Sequence, residues 1–224
     1  IVVTMTQDVT IISKDLIEEL LTPFENPEIV VSFARQLPYK DLKPEEKFVR
    51  SFNYPKESRV KRKEDLEKLG IKTYFASNVC SAYKKEIFDQ VGGFEENVIF
   101  NEDMFYAAKV INKGYAISYT AEAEVVHSHN YKNWTQFQRN FDLAISQVNH
   151  KEIFEGIRSE SEGIKMVKAA SKYLLSHGLF YRIPCLIATS GWKYMGYFFG
   201  KRYRRLPKKT VVKWSMNKNF WKEK

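Results

Sequence analysis

The hydrophobic positions change their period several times along the chain, and each change predicts an element. "IVVTMTQDV" (residues 1–9) opens on a continuous Ile/Val run and "EIVVSFARQL" (28–37) is a second. Unbroken β-branched runs are typical of parallel strands buried on both faces. Between them, "SKDLIEELLTPF" carries apolar residues at 16, 17, 20, 21 and 24 behind Ser13, which predicts an amphipathic helix capped by Ser13 and ended near Pro23. The first run has no turn before it, so its flanking elements are expected upstream of residue 1, and the chain reads as a fragment.

Residues 38–72 are polar and charged, predicting short helices in an excursion from the core, and "TYFASNVCSAY" (73–83) returns to strand character. "KKEIFDQV" (84–91) predicts a helix stopped at Gly92-Gly93, where a glycine supplies the left-handed cap. After "NED" (101–103), Met104, Ala107, Ala108 and Ile111 repeat at i, i+3, i+4, i+7, and Gly114 closes that helix. "YAISYTAEAEVVHSHNY" (115–131) alternates like a strand and ends in His127 and His129; "NWTQFQRNFDLAISQV" (133–148) begins a helix, and 160–200 reads as mainly helical. Strands alternating with helices predict an α/β fold whose active-site loops lie at the carboxyl ends of strands.

Composition bounds this picture. With 224 residues, 44% hydrophobic and 15% aromatic, the chain can bury one substantial core plus an appendage. Two cysteines without a CxxC spacing indicate neither a disulfide framework nor a zinc knuckle, and suit a reducing cytosol. The net charge of +9 is local: residues 201–224 hold ten Lys/Arg and one Asp/Glu, leaving 36 − 10 = 26 basic and 27 − 1 = 26 acidic residues before them. This basic tail follows "GLFYRIPCLIATSGWKYMGYFFG" (178–200), so residues 179–224 suit an anionic membrane surface. A packed or solvated C-terminal helix fits the same residues equally well. Arg182, Pro184, Gly191 and Lys193 argue against a transmembrane span, and the tail carries no nucleic-acid motif.

The strand-end rule makes the chemistry-bearing residues converge. Asp8 ends the first strand, Gly92 and the Glu102-Asp103 pair follow the third, and His127 and His129 end the last. Singly, each has a bland reading: an Asp in a turn, acids at a helix start as dipole partners, and two exposed histidines. Together, carboxylate and imidazole suit Mn²⁺ or Mg²⁺, and the acid pair suits proton abstraction.

"TMTQD", "RQLP", "FNYP", "LGIKTYFASNVCSAY", "VGGF", "FNEDM", "HSHNY" and "QFQRNFD" occur in the order and at the kind of spacing of the inverting family 2 glycosyltransferases. Over about residues 1–155 the chain resembles that family, and within it the bacterial rhamnosyltransferases. The resemblance implies a GT-A (Rossmann-like) catalytic half at 1–155, lacking its N-terminal nucleotide-binding strands, and a helical, basic, aromatic region at 156–224. It implies a cytoplasmic enzyme, peripheral at the inner face of the plasma membrane, that transfers L-rhamnose from dTDP-L-rhamnose to a saccharide or lipid-linked acceptor of a bacterial surface polysaccharide. The same fold with a UDP-hexose donor and a catalytically silent membrane-binding module are the alternatives.

Carried over position by position, "TQD" stands at the DXD motif, making Asp8 the metal carboxylate beside Thr6 and Gln7, which replace the usual acidic first position. "HSH" stands at the C-terminal His motif, with His127 the metal ligand and His129 the alternative. Asp103 of "NED" takes the place of the general base, with Glu102 as fallback and Asn101 beside them. Gly92, Gly93 and Phe94, with Asn78, stand where donor and acceptor are supported. Gln136 and Arg139 match the diphosphate-binding QxxRW motif, whose Trp is Asn140 here, which implies a non-processive enzyme. Lacking the nucleoside-binding half, the fragment alone is expected not to turn over.

Overall fold

The structure is a computed structural model that describes residues 1–154 and 160–222, and of residues 160 and 161 the backbone only. The expected boundary after residue 155 lies outside the described residues. The chain forms two compact units, the first from residues 1–95 and 103–129, the second from 96–102, 130–154 and 160–222.

The first unit is a mixed α/β structure. In chain order it contains β1 (Val2–Met5), β2 (Thr10–Ile11), α1 (Leu16–Leu21), β3 (Ile29–Leu37), α2 (Pro44–Asn53), β4 (Arg59–Lys61), α3 (Leu66–Leu69), β5 (Cys80–Tyr83) and α4 (Lys85–Gln90). Most of α5 (Glu102–Asn112) and all of β6 (Ala116–Val126) complete it. The sheet order is β1-β5-β3-β6-β2, with β4 also paired to β6.

β3 is the central strand, parallel to β6 and antiparallel to β5. Residues 29–34 are buried on both faces, as the continuous apolar run requires. Ala34 faces Leu16 and Leu20 of α1 together with Cys80, Ala82, Ala123 and Val125. Phe33, on the opposite face, meets Phe75 and Tyr119. The β3–β6 register shifts twice, between Ile29 and Val31 and again at this point, where Ala34 pairs with Thr120 and Arg35 with Glu124, so that residues 121–123 are extra on β6.

Three local expectations are corrected. β1 is not a buried parallel strand; it pairs antiparallel with β5 at the end of the sheet order, and Val2, Val3 and Met5 are exposed. A β-branched run encodes strand propensity but not the number of neighbouring strands. Ser13 does not cap α1, which starts after Asp15; the Ser13 hydroxyl instead accepts from the Asp15 N–H and donates to Glu19. Of "TYFASNVCSAY" only residues 80–83 are strand, since 70–74 form a 3-10 helix, while the excursion contributes the unanticipated β4. Lys61 of β4 is buried over the Phe33 and Phe75 rings and donates to the Lys72 and Phe75 carbonyls. A lysine at that position does not announce a buried strand.

The second unit is helical: α6 (Asn133–Asn149), α7 (Lys151–Phe154), α8 (Glu160–Ser176), α9 (Ile183–Gly200) and α10 (Lys208–Trp214). Pro184 does not interrupt α9; it lies in the first turn, where its missing N–H would lack a partner anyway. Among the described residues, no helix is long and apolar enough to cross a membrane. α6 and α9 touch backbone to backbone, because Gly196 and Gly200 sit where a Cβ would lie 2.2 Å from the Phe137 carbonyl oxygen and 2.4 Å from that of Phe141. Around this contact Ile99, Phe137, Phe141, Ile145 and Val211 form a core against which Trp192, Phe199, Trp214, Phe220 and Trp221 pack. The aromatic residues of the basic tail are therefore largely part of this core. Asp142, buried on α6, ties down the chain beyond α10 by accepting the N–H groups of Met216 at 2.8 Å and Asn217 at 3.3 Å.

Gly200→Ala is expected to cost about 1–3 kcal/mol by overpacking, whereas Gly191→Ala, with nothing within 4 Å of the added carbon, should gain up to about 1 kcal/mol of helix propensity; thermal denaturation of the two variants checks the contrast. For Asp142, burial pushes the carboxyl from its ordinary 3.8 up to about 6, against the pull of the Met216 and Asn217 donors. Between those values the folded state holds more protons than the unfolded one, so the contribution of Asp142 falls as pH rises, by at most about 1.4 kcal/mol per unit. The stability of the protein relative to Asp142→Asn should decline from pH 4 to pH 6 and level off above, by urea denaturation; a pH-independent difference would contradict this.

Candidate active site

The directions of the strands assemble the site. β1 is antiparallel to β5, β5 to β3, and β3 is parallel to β6, so β1, β3 and β6 all end at one edge of the sheet while β5 begins there. That edge therefore collects Asp8 after β1, Gln36 at the end of β3, Ser77 and Asn78 before β5, and His127 and His129 after β6.

Asp8 and the two histidines meet. Asp8 Oδ2 lies 3.3 Å from His127 Nε2 and 3.3 Å from His129 Nε2, and the two imidazoles cross at 87° with centroids 4.7 Å apart. A hydrogen bond from the Thr6 side chain is the main reason that the Asp8 carboxyl is held below its usual value, with the two imidazoles pulling the same way. His127 is buried and Asp8 exposed. Burial lowers the His127 pKa; Asp8 opposes the shift and Arg50 reinforces it. Tyr39 braces the turn, its hydroxyl donating to the Asp8 carbonyl at 3.2 Å and its N–H to the Ser128 hydroxyl at 3.0 Å. Gln7 is exposed in the same turn.

The donor set fits a divalent cation. One carboxylate oxygen and two imidazole nitrogens, from two separate chain segments, lie within 4.8 Å of one another. Nitrogen-rich sets of this kind favour Mn²⁺ over Mg²⁺.

Asp103 occupies the first turn of α5, where its Oδ2 accepts the Asn78 N–H at 3.1 Å and its Oδ1 accepts the Met104 N–H at 2.8 Å. Two backbone donors hold the carboxylate, one on each oxygen. Glu102 is exposed, and Asn101 holds a left-handed backbone at φ 66°, a conformation asparagine tolerates better than most residues. The two acids are therefore not equivalent: Asp103 is half-buried and held by two backbone N–H groups, whereas Glu102 is exposed.

The remaining candidates separate. Asn78 reaches Asp103 through its backbone while its side chain accepts from the Tyr83 hydroxyl. Gly92 (φ 81°) and Gly93 (φ 62°) end α4, Gly93 returning its N–H to the Phe88 carbonyl at 2.8 Å. Phe94 packs edge-on among Tyr83, Phe88 and Tyr106. Gln136 and Arg139 belong to α6 of the second unit, where Gln136 is buried and the Arg139 guanidinium lies over the rings of Phe100 and Tyr131.

Sequence reasoning assigned no role to Gln36, Arg50, Ser77 or Tyr39. The signal available for Gln36 was a lone amide inside a buried run; it accepts from Arg50 Nη1 at 2.6 Å, donates to Ser77 Oγ at 2.7 Å and meets His127 Nδ1 at 3.0 Å.

The chain is 41% identical, over 99% of its length and 70% of the relative's, to an O-antigen chain rhamnosyltransferase, RfbN, of Salmonella typhimurium. It is 40% identical, over 98% of its length and 70% of the relative's, to another, WbaN, of Salmonella anatum. No family model and no solved structure matches. Similarity of this degree along nearly the whole chain places it in a family: it belongs to the bacterial rhamnosyltransferase-like glycosyltransferases.

Proposed function

We propose that the protein transfers L-rhamnose from dTDP-L-rhamnose to a saccharide or lipid-linked saccharide during O-antigen assembly, on a GT-A fold and with inversion at the anomeric carbon. The relatives' names support the rhamnosyl transfer. The observation that carries the mechanism is the shared sheet edge, which holds the Asp8, His127 and His129 cluster and the Asn78 backbone that binds Asp103.

In this reading Asp8, His127 and His129 hold Mn²⁺ or Mg²⁺, which when bound offsets the charge of the departing nucleoside diphosphate. Asp103 takes the proton of the attacking acceptor hydroxyl, held in place by the Asn78 and Met104 N–H groups. The Thr6 side chain further favours the charged form of Asp8. Asp103→Asn keeps the shape and removes the base, so release of nucleoside diphosphate by the full-length protein should fall roughly 10²–10⁴-fold with donor binding retained. Asp8→Ala should weaken Mn²⁺ binding measured by calorimetry. Unchanged turnover in Asp103→Asn would remove that residue from the role, and faster release from a UDP-hexose than from dTDP-L-rhamnose would replace the donor.

A peripheral membrane site is part of the same reading. It is supported by the exposure of Phe180, Tyr181, Ile187, Tyr194 and Phe198, and of Lys201, Lys208 and Lys209 in the basic tail that follows them. Deleting the tail would also strip Trp214 from the core, so charge reversal is the cleaner test. Lys201→Glu/Lys208→Glu/Lys209→Glu should co-sediment with anionic vesicles several-fold less than the parent, and equal pelleting would refute a tail-driven contact.

A further inference from the structure

Gln36 sits 2% exposed at the end of β3, beside Val125 of β6, and its amide is committed at both ends. Arg50 Nη1 reaches Gln36 Oε1 at 2.6 Å and Gln36 Nε2 reaches Ser77 Oγ at 2.7 Å. A guanidinium has donors and no acceptor, so the amide atom facing Arg50 must be the oxygen. The same oxygen lies 3.0 Å from His127 Nδ1. Two acceptors cannot share that contact, so Nδ1 must carry the hydrogen.

The consequence appears on the other side of the ring. With Nδ1–H given to Gln36, a neutral His127 turns the lone pair of Nε2 toward Asp8 Oδ2, 3.3 Å away. A lone pair and a carboxylate oxygen face to face repel unless a proton, which makes the imidazolium, or a metal cation lies between them. Without Arg50 the amide could rotate, offer its NH₂ to Nδ1 and turn Nε2–H toward Asp8, satisfying the pair with no cation.

We propose that Gln36, oriented by Arg50 and Ser77, is a positioning residue that fixes His127 as its Nδ1–H tautomer and so presents Nε2, beside Asp8 and His129, as a ligand for a divalent cation. The tautomer stands on the hydrogen-bond geometry alone; the ligand role rests on the metal reading given under Proposed function. An arginine-locked amide behind a histidine ties cation affinity to α2, the helix that carries Arg50.

The test is imidazole ¹⁵N–¹H correlation NMR of the metal-free protein at a pH where His127 is neutral, with Mn²⁺ affinity measured by electron paramagnetic resonance on the same samples. The wild type should show His127 protonated at Nδ1. Gln36→Glu, which still accepts from Nδ1–H, should keep that signature and bind Mn²⁺ within a few-fold of wild type. Gln36→Leu and Arg50→Met should lose it and bind Mn²⁺ about 10–100-fold more weakly. An Nε2–H wild type, or an unchanged tautomer in both Gln36→Leu and Arg50→Met, overturns the proposal even if Mn²⁺ binds. An Nδ1–H wild type that does not bind Mn²⁺ upholds the orienting role, and overturns the metal reading together with the ligand half of the proposal. The wild-type spectrum decides the tautomer even if Gln36→Leu fails to fold.

Discussion

The parallel pairing of β3 with β6 is the constraint on which the first unit depends. Two neighbouring strands running the same way must end at the same edge, and here one ends in Gln36-Leu37 and the other in His127. The His127 N–H closes that pairing on the Leu37 carbonyl at 2.9 Å, so the histidine is the last rung of the ladder as well as a member of the cluster. β1 reaches the same edge because β5 inverts the direction once between it and β3. Asp8 thereby arrives opposite His127 by topology, although more than a hundred residues separate them.

The features legible in the sequence were those that period and strand-end logic encode. The β3 run, the α5 repeat and the β6 alternation each specify an element by the spacing of apolar side chains, and the strand-end rule then groups Asp8, Asp103, His127 and His129. The features that stayed hidden depend on partners in space. The exposure of β1 comes from its place in the sheet order, and the burial of Lys61 comes from two backbone carbonyls and two aromatic rings brought over it. Gln36 is the clearest instance, since nothing local distinguishes an amide that orients a histidine from one tolerated in a strand. Its meaning comes from Arg50 and Ser77, which the sequence places 14 and 41 positions away.

The second unit works by a different economy. Its helices are joined at two glycines one turn apart, so that the contact is made by backbone atoms while the large rings of Phe137, Phe141, Trp192 and Trp214 fill the space around it. A core built from rings around a bare crossing has few ways to absorb added volume. That explains why a basic tail rich in Trp and Phe can look like a membrane segment by composition and still belong to a packed core: its aromatic side chains face inward, and many of its lysines and arginines remain in water.

The register jump between Ala34 and Arg35 sets a parity. Three residues of β6, 121–123, are absorbed where β3 advances by a single pair, and the strands then resume in step to Gln36 and Val125. Because side chains alternate faces, lengthening or shortening that excursion by one residue would present the later strand residues on the wrong side, and His127 would turn away from both Gln36 and Asp8. Length change there is quantised in pairs. The segment 121–123 is thus fixed in residue count, and in size at the buried Ala121 and Ala123, while the exposed Glu122 between them is the position open to change.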